Sequence, residues 1–252
     1  FEKEEGVRQV FSSGIYLHAR FLADAWCSAF FWVKTDSPLG TACPTHQSLR
    51  EFARNYHHST PIVREEVWRL RDHYRFFHWH LAFPEVFALP IDSQKPDDEE
   101  AGWSGGFDVM LGNPPWDTLS PDQREFFSSW VSGLRSMSPE EQQTEIDSLL
   151  ADQSIAAAWA SHCRDLFAFV HFLKNSEVFT LYARGNLGKG DFNVYRMFVE
   201  TALRRIRLGG FAAQVAPAGL YGGGHATAIC IFMFFPDTPA LFAGCWDKGG
   251  VF

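Results

Sequence analysis

The chain has 252 residues, of which 46% are hydrophobic and 16% aromatic, and its net charge is −8 at neutral pH. This length and composition supply apolar material for one substantial core, so we expect a single domain and no second full domain. Sequence-independent DNA affinity comes from Lys and Arg contacts to phosphates. The negative charge therefore predicts that this piece binds DNA poorly by itself, and it equally fits a protein that never touches DNA.

The cysteines and the apolar runs bear on the cellular compartment. Cys27, Cys43, Cys163, Cys230 and Cys245 are scattered and form no Cys-x-x-Cys pair, a pattern that is not typical of a disulfide framework or a zinc ribbon. No apolar run approaches the ~20 residues that span a bilayer, and the acidic start lacks the basic region of a signal peptide. We therefore predict a soluble, cytoplasmic protein with reduced thiols and no membrane partner.

The first hundred residues are predicted to be mainly helical. Residues 14–34 have apolar side chains at helical spacing and predict one amphipathic helix. Pro and Gly in residues 37–44 end it, and residues 47–76 predict one or two further helices with a break at a proline. Residues 78–87 are aromatic and predicted to be partly extended. The acidic tract 94–100 is predicted to be an exposed loop, because nothing holds its carboxylates together as metal ligands.

The second part of the chain alternates strand and helix signals. Residues 107–111 form a short continuous apolar run that predicts a buried strand of the parallel type. Residues 120–180 are rich in helix formers and predict a helical insertion, in which Ser138 caps a helix and Pro139 occupies its first turn.

After the insertion, residues 194–207 predict a helix on the face of a sheet. Gly209 and Gly210 are predicted to stop this helix, and residues 211–215 to form the next strand. Residues 229–235 fit a strand and a helix end equally well. The order of these elements favours an α/β fold.

The residues that follow the first predicted strand are the main candidate site, since ligands of open α/β sheets bind at the carboxyl ends of strands. They read Asn113-Pro114-Pro115-Trp116. Prolines donate no backbone hydrogen bond and hold φ near −65°, which aims the carbonyls of Asn113 and Pro114 outward at a fixed angle.

An amino group at this corner could donate one hydrogen to the Asn113 amide oxygen and the other to the Pro114 carbonyl. The ring bearing that amino group could stack on Trp116. The ligand indicated is a planar amine such as adenine. Asn-Pro also marks ordinary turns, and from these four residues alone a plain turn at a strand end is an equally good explanation.

The tetrapeptide resembles the catalytic motif of DNA methyltransferases that modify N6 of adenine. Three further blocks are similar, in the same order, to the large bacterial methyltransferases of type IIG restriction and BREX-type phage-defence systems. These blocks are residues 77–87, 190–198 and 209–217. Together with the tetrapeptide they extend the resemblance over most of the chain.

The resemblance implies a partial Rossmann-like, S-adenosylmethionine-dependent methyltransferase fold. Residues 1–100 would be a helical segment leading into the core, and residues 101–252 the catalytic half, with the helical insertion at about 120–180. The implied reaction is methyl transfer from S-adenosylmethionine to N6 of a flipped adenine, in a restriction-modification or phage-defence system. The implied catalytic residues are Asn113, Pro114, Pro115 and Trp116.

The resemblance is incomplete at the cofactor site. The glycine-rich cofactor loop of the family, which lies upstream of the catalytic motif, is missing from this sequence, so we expect that the chain begins partway through a larger protein. The family's DNA-recognition region is expected to follow residue 252. The implied partners are double-stranded DNA, held through that missing region, and other subunits of a defence system.

Phe198 is the one candidate cofactor-binding residue in the chain. Together with Tyr195 it matches the family's Tyr-x-x-Phe, in which the phenylalanine lines the pocket for the adenine of S-adenosylmethionine. From spacing alone, packing of both rings between a helix and a sheet is the better explanation.

Other clusters predict no site. His73, His78 and His80 lie close in sequence, but no carboxylate or thiol completes a metal set at a recognised spacing. Residues 185–190 lack the Gly-Lys-Ser/Thr ending of a phosphate loop and predict a turn that presents Asp191.

Two other functions stay open. The chain could be a noncatalytic binding or assembly module, which keeps the shape of the amine pocket but does not hold the cofactor by itself. Alternatively, the amine site could serve N4 of cytosine or a glutamine side chain, because related Asn/Asp/Ser-Pro-Pro-aromatic loops methylate these groups. The helical insertion and Trp116 favour the large adenine-specific DNA enzymes.

Overall fold

The computed structural model describes residues 13–90, 94–99, 102–183, 192–217 and 220, without the side chains of residues 182 and 183. The chain combines helices and strands, as an α/β fold requires, and divides into two compact units. The helical unit comprises the chain up to Gly106 together with residues 119–177. The strand unit comprises residues 107–118 and the chain from Val178 onward.

The first part of the helical unit confirms the predicted helices. They are α1 (Gly14–Phe31), α2 (Pro38–Thr41), α3 (His46–Arg54), α4 (Pro61–Tyr74) and α5 (Trp79–Ala82), with a 3-10 turn at Tyr56–His58. Helix α1 begins where the Ser13 hydroxyl accepts a hydrogen bond from the Tyr16 N–H, and Pro61 opens α4 at a position where its missing N–H costs nothing. Residues 78–87 were predicted to be partly extended: the helical turn α5 occupies their first half, and a strand begins at Phe87.

These helices bury an aromatic core around α1. Ala25 of α1 and Val67 of α4 are fully inaccessible to solvent. Burial of this apolar surface stabilises the helices far more than their intrinsic propensities do. The buried residues of the core are Phe21, Ala25, Phe31, Trp32, Phe52, Val63, Val67 and Leu70.

The predicted insertion is helical. It contains α6 (Gln123–Phe127), α7 (Pro139–Leu150) and α8 (Gln153–Asn175), with a 3-10 turn at Leu134–Ser136. The start of α7 is a capping box, as its sequence predicted: the Ser138 hydroxyl accepts from the Glu141 N–H, and the Glu141 carboxylate accepts from the Ser138 N–H. Hydrogen bonding of the charged carboxylate to the backbone and side chain of Ser138 lowers the pKa of Glu141.

The insertion belongs to the helical unit. The resemblance implied instead that it was part of the catalytic half, residues 101–252. The ring of Phe172 on α8 lies 5.5 Å from the rings of both Phe30 and Phe31 on α1. The Tyr74 hydroxyl of α4 donates to the Asp165 carboxylate of α8 over 3.0 Å. Ala168 and Phe172 of α8 therefore pack against the core around α1 although they lie far from it in the chain.

Two short strands complete the helical unit. β1 (Phe87–Ala88) and β2 (Ser104–Gly105) pair antiparallel. Gly105 has φ +92°, and a Cβ there would lie 2.4 Å from the Val86 carbonyl oxygen, so only glycine fits. The described part of the acidic tract between these strands is irregular, and Lys95 forms an exposed ion pair with Glu99.

The strand unit contains a parallel β-α-β arrangement. β3 (Phe107–Gly112) pairs in parallel with β4 (Ile206–Gln214), and α10 (Val194–Arg205) precedes β4 and contacts both strands. The short helix α9 (Thr180–Ala183) is held to α10 by Glu200, whose buried carboxylate accepts from the Leu181 N–H and from Arg204. The parallel pairing and the helix on the sheet are as predicted.

Two details of this sheet differ from the prediction. Strand β3 is not buried, because Val109 is 52% and Leu111 76% exposed. Two strands and one packed helix, among the described residues, are too few to cover both faces of a parallel sheet. The described residues therefore form a mixed α/β chain with a two-stranded parallel sheet.

The second difference concerns the start of β4. The strand begins at Ile206, so Gly209 and Gly210 lie inside it and do not form a stop before it. Ile206 pairs with Phe107 and Phe211 pairs with Val109, so β4 bulges between these pairs. The predicted element at 229–235 and the glycine-containing turn at 185–190 lie outside the described residues.

Candidate functional site

The loop Asn113–Trp116 leaves the carboxyl end of β3. The last pair of the parallel ladder joins Gly112 to Gln214, and the Val215 N–H donates to the Gly112 carbonyl over 3.0 Å. The residue immediately before Asn113 is therefore held by the neighbouring strand. Carboxyl ends of parallel strands are where α/β proteins bind ligands.

The other end of the loop is fixed as well. The Asp117 carbonyl accepts from the Val194 N–H, the first residue of α10, over 2.9 Å. Thr118 pairs with Asn193 in an isolated antiparallel bridge. A loop held at both ends and stiffened by two prolines loses little conformational entropy when a ligand binds to it.

The Asn113 side chain of this loop is open to a ligand. Asn113, Pro115 and Trp116 are exposed, whereas Pro114 is buried. Within the described residues, no group donates a hydrogen bond to the Asn113 side chain or to the Pro114 carbonyl. The corner thus presents unpaired acceptors beside an indole that is 41% exposed.

The two aromatic residues singled out on α10 differ in environment. Tyr195 is 4% exposed and lies in a buried cluster with Val199 and Leu220, and its hydroxyl accepts from the Arg196 Nε over 3.0 Å. Phe198 is 49% exposed. Packing inside the unit therefore explains the position of Tyr195, whereas about half of Phe198 is accessible to a ligand.

The three histidines considered for metal binding lie in the helical unit, each in its own setting. His78 Nε2 lies 2.7 Å from a carboxylate oxygen of the buried Asp24, and His73 lies 3.2 Å from Asp165. Burial, and then the neighbouring His78, lower the pKa of His80. Across the described ranges, no three His, Cys, Asp or Glu side chains come together as metal ligands.

One residue of interest was missed by sequence reasoning. The amide of Gln214, the last residue of β4, lies directly over Gly112. A Cβ on Gly112 would be 2.4 Å from the Gln214 Oε1 and 2.9 Å from its Nε2. A polar residue at the end of the next parallel strand was the available signal, but only the register shows that it lies beside Gly112.

Comparison with family models, with curated proteins and with solved structures finds no match to this chain. None of the helices in the described part of the chain combines the length and apolar composition needed to cross a membrane. The site is therefore interpreted from its own residues.

Proposed function

We propose that this chain forms the catalytic half of a DNA methyltransferase with a Rossmann-like fold, which transfers a methyl group from S-adenosylmethionine to N6 of a flipped adenine. The observation that carries the proposal is the Asn113–Pro114 corner, in which Asn113 is exposed and both acceptors are unpaired, at the carboxyl end of a parallel strand. The blocks at 77–87, 190–198 and 209–217 add the resemblance to type IIG and BREX-type enzymes.

The acceptors address the main obstacle of the reaction. An exocyclic amine on an aromatic ring is a weak nucleophile, because its lone pair is delocalised into the ring. Hydrogen bonds from its two N–H groups to the Asn113 amide oxygen and the Pro114 carbonyl favour a pyramidal nitrogen, which frees the lone pair. The same acceptors would stabilise the positive charge that develops on nitrogen as its bond to the methyl group forms and the bond between that methyl group and the cofactor's sulfur breaks. The surplus proton on nitrogen would then pass to solvent water.

Trp116 has a separate role in this proposal. Chemistry on a base in a duplex requires the base to leave the stack, which costs a few kcal/mol. Stacking on an exposed indole recovers about 1–3 kcal/mol per base. Trp116 therefore stabilises the flipped base while Asn113 and Pro114 hold its amine.

The fit of the chain to the cofactor is partial. S-adenosylmethionine, when bound, supplies an electrophilic methyl group. The exposed ring of Phe198 is able to contact the adenine of the cofactor. The glycine-rich loop expected to hold the rest of the cofactor is not among these 252 residues.

Substitutions at Asn113 test the assignment. In the intact protein, Asn113→Leu keeps the side-chain volume and removes the acceptor, and we expect the rate of tritiated methyl transfer to DNA to fall by roughly a hundredfold. Asn113→Asp keeps an acceptor and should retain more activity than Asn113→Leu. Equal rates for wild type and Asn113→Leu, with unchanged circular dichroism, would contradict the proposal.

A noncatalytic binding or assembly module is the second candidate, and the net charge of −8 favours it. Calorimetric titration of S-adenosylmethionine into this chain and into the intact protein separates the two. The enzyme proposal predicts saturable binding to the intact protein. Absence of binding to either would favour the assembly module.

A further inference from the structure

The position of Gln214 suggests a role at the same site. Gln214 and Gly112 are partners in the last pair of the parallel ladder, and Gly112 is bonded directly to Asn113. The amide of Gln214 occupies the space that a side chain on Gly112 would fill. A second primary amide therefore lies at the base of the Asn-Pro-Pro-Trp corner.

This amide is not used within the described structure. Gln214 is half-buried, and no described residue forms a hydrogen bond with its side chain. Because the side chain is not fully buried, its amide can exchange hydrogen bonds with water for hydrogen bonds with a ligand. The side-chain amide of Asn113, the residue after Gly112, is likewise unpaired among the described residues.

We propose that Gln214 is a specificity-determining residue, which donates a hydrogen bond from Nε2 to a ring nitrogen of the flipped adenine while Asn113 and Pro114 hold its amine. This assignment rests on the proposed function. The chemistry fits because the edges of adenine place a ring-nitrogen acceptor, N1 or N7, on either side of the N6 amine, and a primary amide complements such an edge.

Gly112 has a defined part in this arrangement. The atoms that a Cβ would meet belong to the free end of the flexible Gln214 side chain and not to backbone. Gly112→Ala should therefore displace the Gln214 amide while leaving the pairing of β3 with β4 in place. Gly112→Ala and Gln214→Met are thus two independent ways to remove the same hydrogen bond.

The test uses adenine analogues as probes. Duplex DNA carries adenine, 1-deazaadenine or 7-deazaadenine at the methylated position, and methyl transfer by the intact protein is measured for each. The wild type should methylate one of the two analogues about tenfold more slowly than adenine, because one hydrogen bond is lost. Gln214→Met and Gly112→Ala should be slower on adenine and should no longer discriminate against that analogue.

A matched control is Gln143→Met, which changes an exposed glutamine on α7 of the helical unit and should keep wild-type discrimination. If Gln214→Met discriminates against that analogue as strongly as the wild type does, or if the wild type discriminates against neither analogue, Gln214 does not contact the ring and the inference is wrong, while the proposed function stands. If the wild type does not methylate adenine although it binds S-adenosylmethionine, the proposed function fails and this assignment fails with it.

Discussion

At the scale of single residues, the polar side chains of this chain fall into paired and unpaired groups. The buried Asp24 carboxylate lies 2.7 Å from His78 Nε2, as a buried polar group requires a hydrogen-bond partner. Asn113 and Gln214, in the strand unit, have no partner among the described residues. The hydrogen bond of the first group stabilises the fold, and the unpaired amides of the second group can form hydrogen bonds with a ligand.

Trp116→Ala should weaken the binding of a flipped base without unfolding the strand unit. The indole is 41% exposed, so its removal deletes a stacking surface and leaves the core intact. With 2-aminopurine at the methylated position, we expect a smaller rise in fluorescence than the wild type gives, and binding weaker by about 1–3 kcal/mol. Trp130→Ala removes an indole of similar exposure from the helical unit and should behave as wild type. A fluorescence change equal to that of the wild type would count against the role of Trp116.

His78→Ala should destabilise the helical unit. The Asp24 carboxylate is 1% exposed and would lose its closest hydrogen bond, retaining Arg20 at 3.7 Å. Removing one partner of a buried pair costs about 3 kcal/mol, which urea denaturation should detect. His58→Ala, at an exposed position, should change the free energy of unfolding by less than about 0.5 kcal/mol. Equal stabilities of the two variants would refute the structural role of the pair.

The sequence predicts residue roles only where they depend on neighbours in the chain. The proline-stiffened corner at Asn113 is covalent and local, so the sequence alone could indicate it as a candidate site. Gln214 is a hundred residues away, and its place over Gly112 depends on the register of β3 with β4. The difference between buried Tyr195 and exposed Phe198 likewise depends on tertiary packing.

At the scale of elements, features set by neighbours in the chain are predicted better than strand limits and burial, which depend on distant segments. The capping box at Ser138 involves atoms within four residues, and it is present as predicted. The start of β4 at Ile206 is set by pairing with Phe107, and it therefore overrides the glycines that were expected to precede the strand. Burial of β3 depends on neighbouring elements, and it was predicted wrongly.

Ser138→Ala should destabilise α7 by about 1 kcal/mol, because the Glu141 N–H loses its acceptor. The exposed Ser161→Ala on α8 is the matched control and should be neutral. The capping box also predicts a pH effect. The pKa of Glu141 lies below its ordinary value of 4.5, so its stabilising contribution is present above that pH and is lost as the pH falls through the folded pKa. Thermal unfolding of both variants between pH 3 and 7 measures these effects; a Ser138→Ala variant as stable as the wild type would contradict them.

At the scale of the whole molecule, the chain forms two compact units in which distant segments are joined. The insertion at 119–177 shares a unit with the N-terminal helices, and residues 107–118 share one with the chain after 178. Helix content and the parallel pair were predictable from periodicity. The grouping of these segments into two units was not predictable from the sequence, because it depends on which apolar faces pack together.

Phe172→Ala tests the grouping of the helical unit. This ring on α8 contacts Trp26, Phe30 and Phe31 of α1, so its removal should cost about 2–3 kcal/mol and lower the unfolding midpoint. Phe167→Ala removes a ring from the same helix that is 58% exposed, and it should cost less than about 1 kcal/mol. If the two variants were equally stable, the insertion would not be joined to α1 as described.

The chemistry proposed for the Asn113 corner is tested most directly by identifying the product nucleoside. DNA is incubated with S-adenosylmethionine and the intact protein, digested to nucleosides and examined by mass spectrometry. We expect N6-methyladenine to accumulate with the wild type and its amount to fall by roughly a hundredfold with Asn113→Leu. Methylation of cytosine or of protein alone, or N6-methyladenine formed equally by both proteins, would contradict it.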